Sequence, residues 1–219
     1  MPPPSKAINP RRNPRRADSP ARADRRGRAE EFAAPTPQRN AGLLGMVFFV
    51  IAESTFFLGL FLAYFYMRNT AEAWPPPGAS AGRTTIALAV INTVIALISL
   101  GVMAYANRAI ARDNRRGLQV GVSIAAMLGV VFMAIQSVEF AQLGFTAQTS
   151  GYGSAFIALL VFHVARVFIG VSLLLIVLVR TLIGQFSAKR RLLVQAATLY
   201  WAFIVGVWLV VFYVLYVVV

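Results

Sequence analysis

Four ionisable side chains stand where water does not reach. Glu53 lies midway along an apolar run from Leu43 to Met67, Glu139 falls in a third such run, and His163 and Arg166 share a fourth. An ionised group in lipid hydrocarbon loses its hydration, so each of these residues calls for a counter-charge, a hydrogen-bond partner or a part in moving protons. Helical spacing adds neutral polar residues. Phe132, Gln136, Glu139 and Leu143 share one face, and His163, Arg166 and Gly170 share another. Thr85, Asn92 and Ser99 recur every seven residues and form a stripe that can join helices. Glu53, His163, Arg166, Glu139, Gln136 and Asn92 are therefore the candidate intramembrane polar cluster.

The elements that carry them follow from composition. Of 219 residues 58% are hydrophobic and only 13% are charged, and mean hydropathy is +0.67. These values place the chain among integral membrane proteins. Spans are predicted at about 43–67, 84–106, 118–143, 154–180 and 197–219, each longer than the ~20 residues that cross a bilayer as helix. Pro75, Pro76, Pro77 and Gly78 break the chain after the first span, and Ser150, Gly151, Tyr152 and Gly153 mark a turn before the fourth. The runs are too long for barrel strands and do not alternate. The fold class is all-α: a bundle of five transmembrane helices.

Positive charge orients it. Of 21 Lys and Arg, ten precede the first span. Arg108, Arg112, Arg115 and Arg116 follow the second, and Arg180, Lys189, Arg190 and Arg191 follow the fourth. Only Arg68 and Arg83 flank the opposite side, so the N-terminus is placed in the cytoplasm and the C-terminus outside. A formal net charge of +13 spread along membrane flanks in this way does not point to nucleic acid. Residues 1–42 hold eight of the eleven prolines and few large apolar side chains, the composition of a disordered basic tail. They match neither a secretory signal nor a transit peptide. Such a tail is either simply solvated or touches anionic head groups or a partner subunit.

Depth suggests a pairing. Glu53 is fourteen residues from the outer end of its span and Arg166 twelve from its own, about 21 Å and 18 Å of helical rise. Glu53 is thus expected to meet Arg166 or His163, which offsets the desolvation of both charges. Glu53 is otherwise a structural hydrogen-bonding group, His163 a packed and hydrogen-bonded interior imidazole, and Arg166 a counter-ion. Glu139, about one turn from the outer surface, is read as snorkelling there. With one His and no Cys, the chain has no thiolate site and lacks the imidazole set that haem or copper centres need. No catalytic, cofactor-binding or metal-ligating residue is assigned.

In these residues the chain resembles the subunit III family of cytochrome c oxidase. The first span, MVFFVIAESTFFLGLFLAYFYMR, resembles that family's signature helix. Matches follow in order: INT at Ile91, VFMAIQSVEF at Val131, YGSAF at Tyr152, FHVARVFIG at Phe162, and a last span with Tyr200, Trp201 and Trp208. The resemblance covers about 42–219 and is closest to the short, five-helix bacterial type. Two positions depart from the family pattern. Arg166 stands where a second His is common, and Trp201, Ala202, Phe203, Ile204, Val205 stand where Trp-His-Phe-Val-Asp is common.

The resemblance implies an accessory, non-redox subunit of a respiratory haem-copper oxidase in the bacterial inner membrane. Haem and copper would lie in partner subunits, with catalytic subunit I as neighbour, structural phospholipid bound in a cleft, and roles in stability and proton uptake. A matching subunit of a quinol oxidase or nitric oxide reductase is an alternative. A small proton-coupled transporter using Glu53, His163, Arg166 and Glu139 is another, although internal repeats and broken helices are absent from the sequence.

Overall fold

A computed structural model describes residues 37–78 and 82–218, with side chains from Ala41 onward. The basic tail predicted over 1–42 lies outside the described residues as far as 36. Five long helices follow in order: α1 Pro37–Thr70, α2 Arg83–Ala111, α3 Arg115–Ala141, α4 Gly151–Leu182 and α5 Leu192–Phe212. A π-helical turn, Tyr213–Val217, extends α5. All five are long and apolar enough to cross a membrane, and the described residues include no strand. The protein is an all-α, multi-pass membrane protein.

The turns before α3 and α4 have local causes. Between α2 and α3, Asp113 takes a left-handed conformation (φ 55°), and the Asn114 side chain caps α3 by accepting from Gly117 N at 2.9 Å. The Asp113 carboxylate also accepts from Ala188 N at 2.6 Å, which ties this turn to the loop between α4 and α5. Ser150 caps α4, accepting from Gly153 N at 3.1 Å.

Small residues decide how closely the helices approach. A Cβ added at Gly121 would lie 2.7 Å from Ala106 Cβ, and one at Gly117 would lie 2.8 Å from Ala109 Cβ. The α2–α3 hairpin closes over these positions, because lipid gives little hydrophobic drive and close backbone approach must supply the attraction. Contacts then run α2 to α3, α3 to α4, α4 to α5 and α5 back to α2, a closed ring of four. The core inside the ring includes Met103, Phe132, Leu160, Trp201 and Trp208.

α1 stands outside this ring. Only Phe57 and Tyr64 of its described side chains are buried, and it is held by isolated contacts. Phe49 meets Tyr200, Phe56 meets Phe162, and Tyr64 OH donates to the Val214 carbonyl at 3.5 Å. An apolar cleft of about 340 Å³, walled by Phe57, Leu58, Phe61, Phe203, Val207 and Val210, runs between α1 and α5.

Candidate functional site

The polar residues picked from the sequence fall into two separate groups and one isolated ring. A single shared interior was the expectation. The ring of four helices buries one group, and the seam between α1 and α4 carries the other.

On the seam, Arg166 Nε donates to Glu53 Oε2 at 2.5 Å. Depth brings them together. Arg166 is fifteen residues from the first residue of α4 and sixteen from the last, and Glu53 is equally central in α1. The guanidinium lies 4.6 Å from the Phe56 ring centroid, 5.5 Å from that of Phe57 and 5.8 Å from that of Phe162. An aromatic face attracts a cation in addition to the carboxylate, and it does so without needing water. The pair is not sealed, for the Arg166 and Glu53 side chains remain 16% and 19% exposed. Of the two partners proposed for Glu53, the structure selects Arg166.

Inside the ring, Asn92 Nδ2 donates to Gln136 Oε1 and to the Phe132 carbonyl, both at 3.4 Å. Gln136 Nε2 donates to Glu139 Oε2 at 2.9 Å, and Tyr216 OH donates to Glu139 Oε1. Glu139 is fully buried. It does not snorkel, because α3 turns its carboxyl inward onto a turn of chain that follows α5. Both carboxyl oxygens are met by neutral donors, and among the described residues no cation bridges to it.

His163 belongs to neither group. Its ring is buried, 5.2 Å from Trp208 and 6.0 Å from Phe132 between centroids, and neither nitrogen has a hydrogen-bond partner among the described residues. The hydrogen-bonded imidazole expected from sequence is therefore corrected to an aromatic packing contact. Aromatic neighbours surround the ring, and the side-chain donors of Asn92 and Gln136 are used elsewhere. A cavity of about 20 Å³, room for roughly one water molecule, lies beside it.

Three tryptophan hydrogen bonds, one of them fully buried, went unread in the sequence. Trp201 Nε1 donates to Ser99 Oγ and Trp208 Nε1 to Thr93 Oγ1, both at 3.0 Å, and Trp74 Nε1 donates to Tyr64 OH at 3.1 Å. Ser99 was visible as part of the α2 stripe. Its partner, 102 positions away, was not. Trp201 sits in a slot made by glycine: a Cβ at Gly129 would lie 2.8 Å from its ring, and one at Gly170 would lie 3.0 Å away. No three His, Cys, Asp or Glu side chains converge among the described residues. This architecture binds helices together and places one carboxyl group, Glu139, among neutral hydrogen-bond donors.

Comparison with known proteins bears out the family resemblance. The family model described as Cytochrome c oxidase subunit III matches residues 33–219. The chain is 35% identical over 176 residues to cytochrome c oxidase subunit 3 of Thermostichus vulcanus, covering 80% of this chain and 86% of that protein. It is 37% identical over 175 residues to the protein of the same name from Synechocystis sp., covering 80% and 74% respectively. A platypus (Ornithorhynchus anatinus) relative with that name is 34% identical over 170 residues, covering 75% and 65%.

Proposed function

The chain belongs to the cytochrome c oxidase subunit III family, and from that membership we propose that it braces the catalytic subunit of its oxidase and supports proton uptake there, carrying no redox centre itself. It is a subunit III of a haem-copper oxidase and works within a complex of oxidase subunits. Neither the quinol oxidase or nitric oxide reductase reading nor the transporter reading is favoured by relatives that are consistently called cytochrome c oxidase subunit 3.

The observation that carries the bracing role is the way each polar residue is used. Asn92, Gln136, Glu139, Ser99, Thr93, Trp201 and Trp208 all bond to another element of the same bundle. Such bonds rigidify a scaffold. Haem and copper are then held by partner subunits, with subunit I the immediate neighbour in the bacterial inner membrane. Ten basic residues ahead of Leu43 support a cytoplasmic N-terminus and an outer C-terminus. The basic tail itself is taken as a solvated extension. The cleft between α1 and α5 offers apolar walls to the acyl chain of a structural phospholipid.

Gentle affinity purification of the tagged protein from its own membranes tests this function. Haem absorption bands and oxygen consumption should co-purify with it and disappear when the remaining subunits are stripped away. A colourless protein, or haem that stays with the isolated chain, would overturn the assignment.

A further inference from the structure

Glu139 is fully buried, yet it stands close to the end of its helix. It lies two residues before the last residue of α3, and Tyr152 is the second residue of α4, so both belong to the same end of the bundle. Gln136 on its own helix and Tyr216 on the π-turn meet the carboxyl, and Asn92 of α2 stands behind Gln136. No cation bridges to it among the described residues. A buried carboxylate with neutral partners alone is costly, and taking up a proton removes that cost.

Three buried tyrosines gather at this end, and one of them has a hydroxyl proton to spare. Tyr64 OH accepts from Trp74 and donates to the Val214 carbonyl, and Tyr216 OH donates to Glu139. Arg68 of α1 is a cation near Tyr64. The Tyr152 hydroxyl is buried and bonds to nothing among the described residues, and it lies close enough to the hydroxyls of Tyr64 and Tyr216 to feel their charge. Tyr152 also lines an open recess of about 300 Å³ with Thr70, Trp74, Ser150 and Gly151, of which Thr70 and Gly151 are exposed. Its ring centroid is 5.1 Å from that of Trp74 in the recess and 5.6 Å from that of Phe156, which in turn is 5.6 Å from that of Tyr216. Tyr152 thus stands between the recess and the Tyr216–Glu139 bond. We infer that Tyr152 and Tyr216 carry protons between this recess and Glu139, which makes Glu139 a site that takes up and releases a proton at this end of the bundle. When Glu139 is ionised, Tyr216 gives its hydroxyl proton to Oε1 and receives one from Tyr152, by hydroxyl rotation or through a water between them. Tyr152 is refilled from water in the recess. One proton enters, both hydroxyls end as they began, and release runs the same steps backwards.

Infrared spectroscopy of the full chain, purified with whatever subunits accompany it, reads this proton directly. A carboxylic C=O band should come and go with the pH of the medium, vanish in Glu139→Gln and move in Glu139→Asp. If Glu139→Gln fails to accumulate, the aspartate variant alone assigns the band. On transfer to heavy water the band should shift promptly in the unmodified protein. Tyr152→Phe removes a hydroxyl that bonds to nothing in the bundle, so haem recovery and thermal stability should stay as they are. Exchange of the Glu139 proton should nevertheless slow by about 100-fold, the lower end of what a positioned proton-transfer group contributes. Tyr200→Phe, which removes an equally unbonded hydroxyl with no contact to Tyr216 or Glu139, should leave the exchange unchanged. A band that is absent at every pH, or exchange as fast in Tyr152→Phe as in the unmodified protein, would overturn the inference.

Discussion

Tyr216 donates its hydroxyl to Glu139 across 77 positions of sequence, so the π-turn that follows α5 is bonded to the C-terminal end of α3. The same turn offers its Val214 carbonyl to Tyr64 of α1, and Tyr64 accepts from Trp74 in the loop beyond α1. Five residues of chain therefore fasten α3 and α1 directly, and the loop beyond α1 through Tyr64. An ordinary α-helical continuation would advance ~100° per residue and aim Tyr216 elsewhere; the wider turn, closed by Val218 N to Tyr213 O at 3.0 Å, sets its direction.

Tyr216→Phe should leave Glu139 Oε1 without its donor inside the bundle. Removing one partner of a buried bond costs about 1–3 kcal/mol, and more where the stranded group is charged. Unfolding in a graded denaturing detergent should show the loss. Tyr213→Phe, which changes an exposed residue of the same turn, should show none. Equal stability of Tyr216→Phe and the unmodified protein would mean that Glu139 finds another donor.

Glycines at a helix crossing and glycines on an open helix face should respond oppositely to an added methyl group. Gly170→Ala would set its Cβ 2.5 Å from Ile204 Cδ1 and 3.0 Å from the Trp201 ring. Overpacking of this kind costs about 1–3 kcal/mol, so thermal stability should fall. Gly45→Ala and Gly59→Ala meet nothing within 4 Å and lie on a helix, where alanine is favoured by about 0.5–1 kcal/mol. Those two changes should be neutral or stabilising. If all three behaved alike, the close approach of α4 to α5 would be in doubt.

The spans were legible because hydropathy and length answer to the bilayer alone, whatever the neighbours are. The Glu53–Arg166 pair was legible for a related reason, since two charges at equal depth have few other partners. α5 begins at Leu192, five residues before the predicted start, because Gln195 interrupts the apolar pattern without interrupting the helix. Glu139 was misread for want of its partner. Distance to the surface suggested an escape route, but its rotation toward the core is set by Tyr216, whose position depends on a π-turn with no residue signature. The orphaned ring of His163 was equally hidden. Which neutral groups an imidazole meets depends on the rotation of four helices about their axes, and spacing on one helix does not fix that.

His163 and Ser99 should respond in contrary ways to losing their polarity. His163 makes no hydrogen bond among the described residues, so burying it brings a desolvation cost with no bond in return. His163→Leu should cost little, or even raise stability, apart from the lost ring contact with Trp208. Ser99→Ala removes only one oxygen, yet it strands the buried Trp201 Nε1–H, which has no other acceptor among the described residues. A cost of about 1–3 kcal/mol is expected. Measured side by side in the same detergent, the larger chemical change should be the milder one. The reverse order would show that His163 has a bonding partner in the membrane, supplied by water in the adjoining cavity or by another subunit.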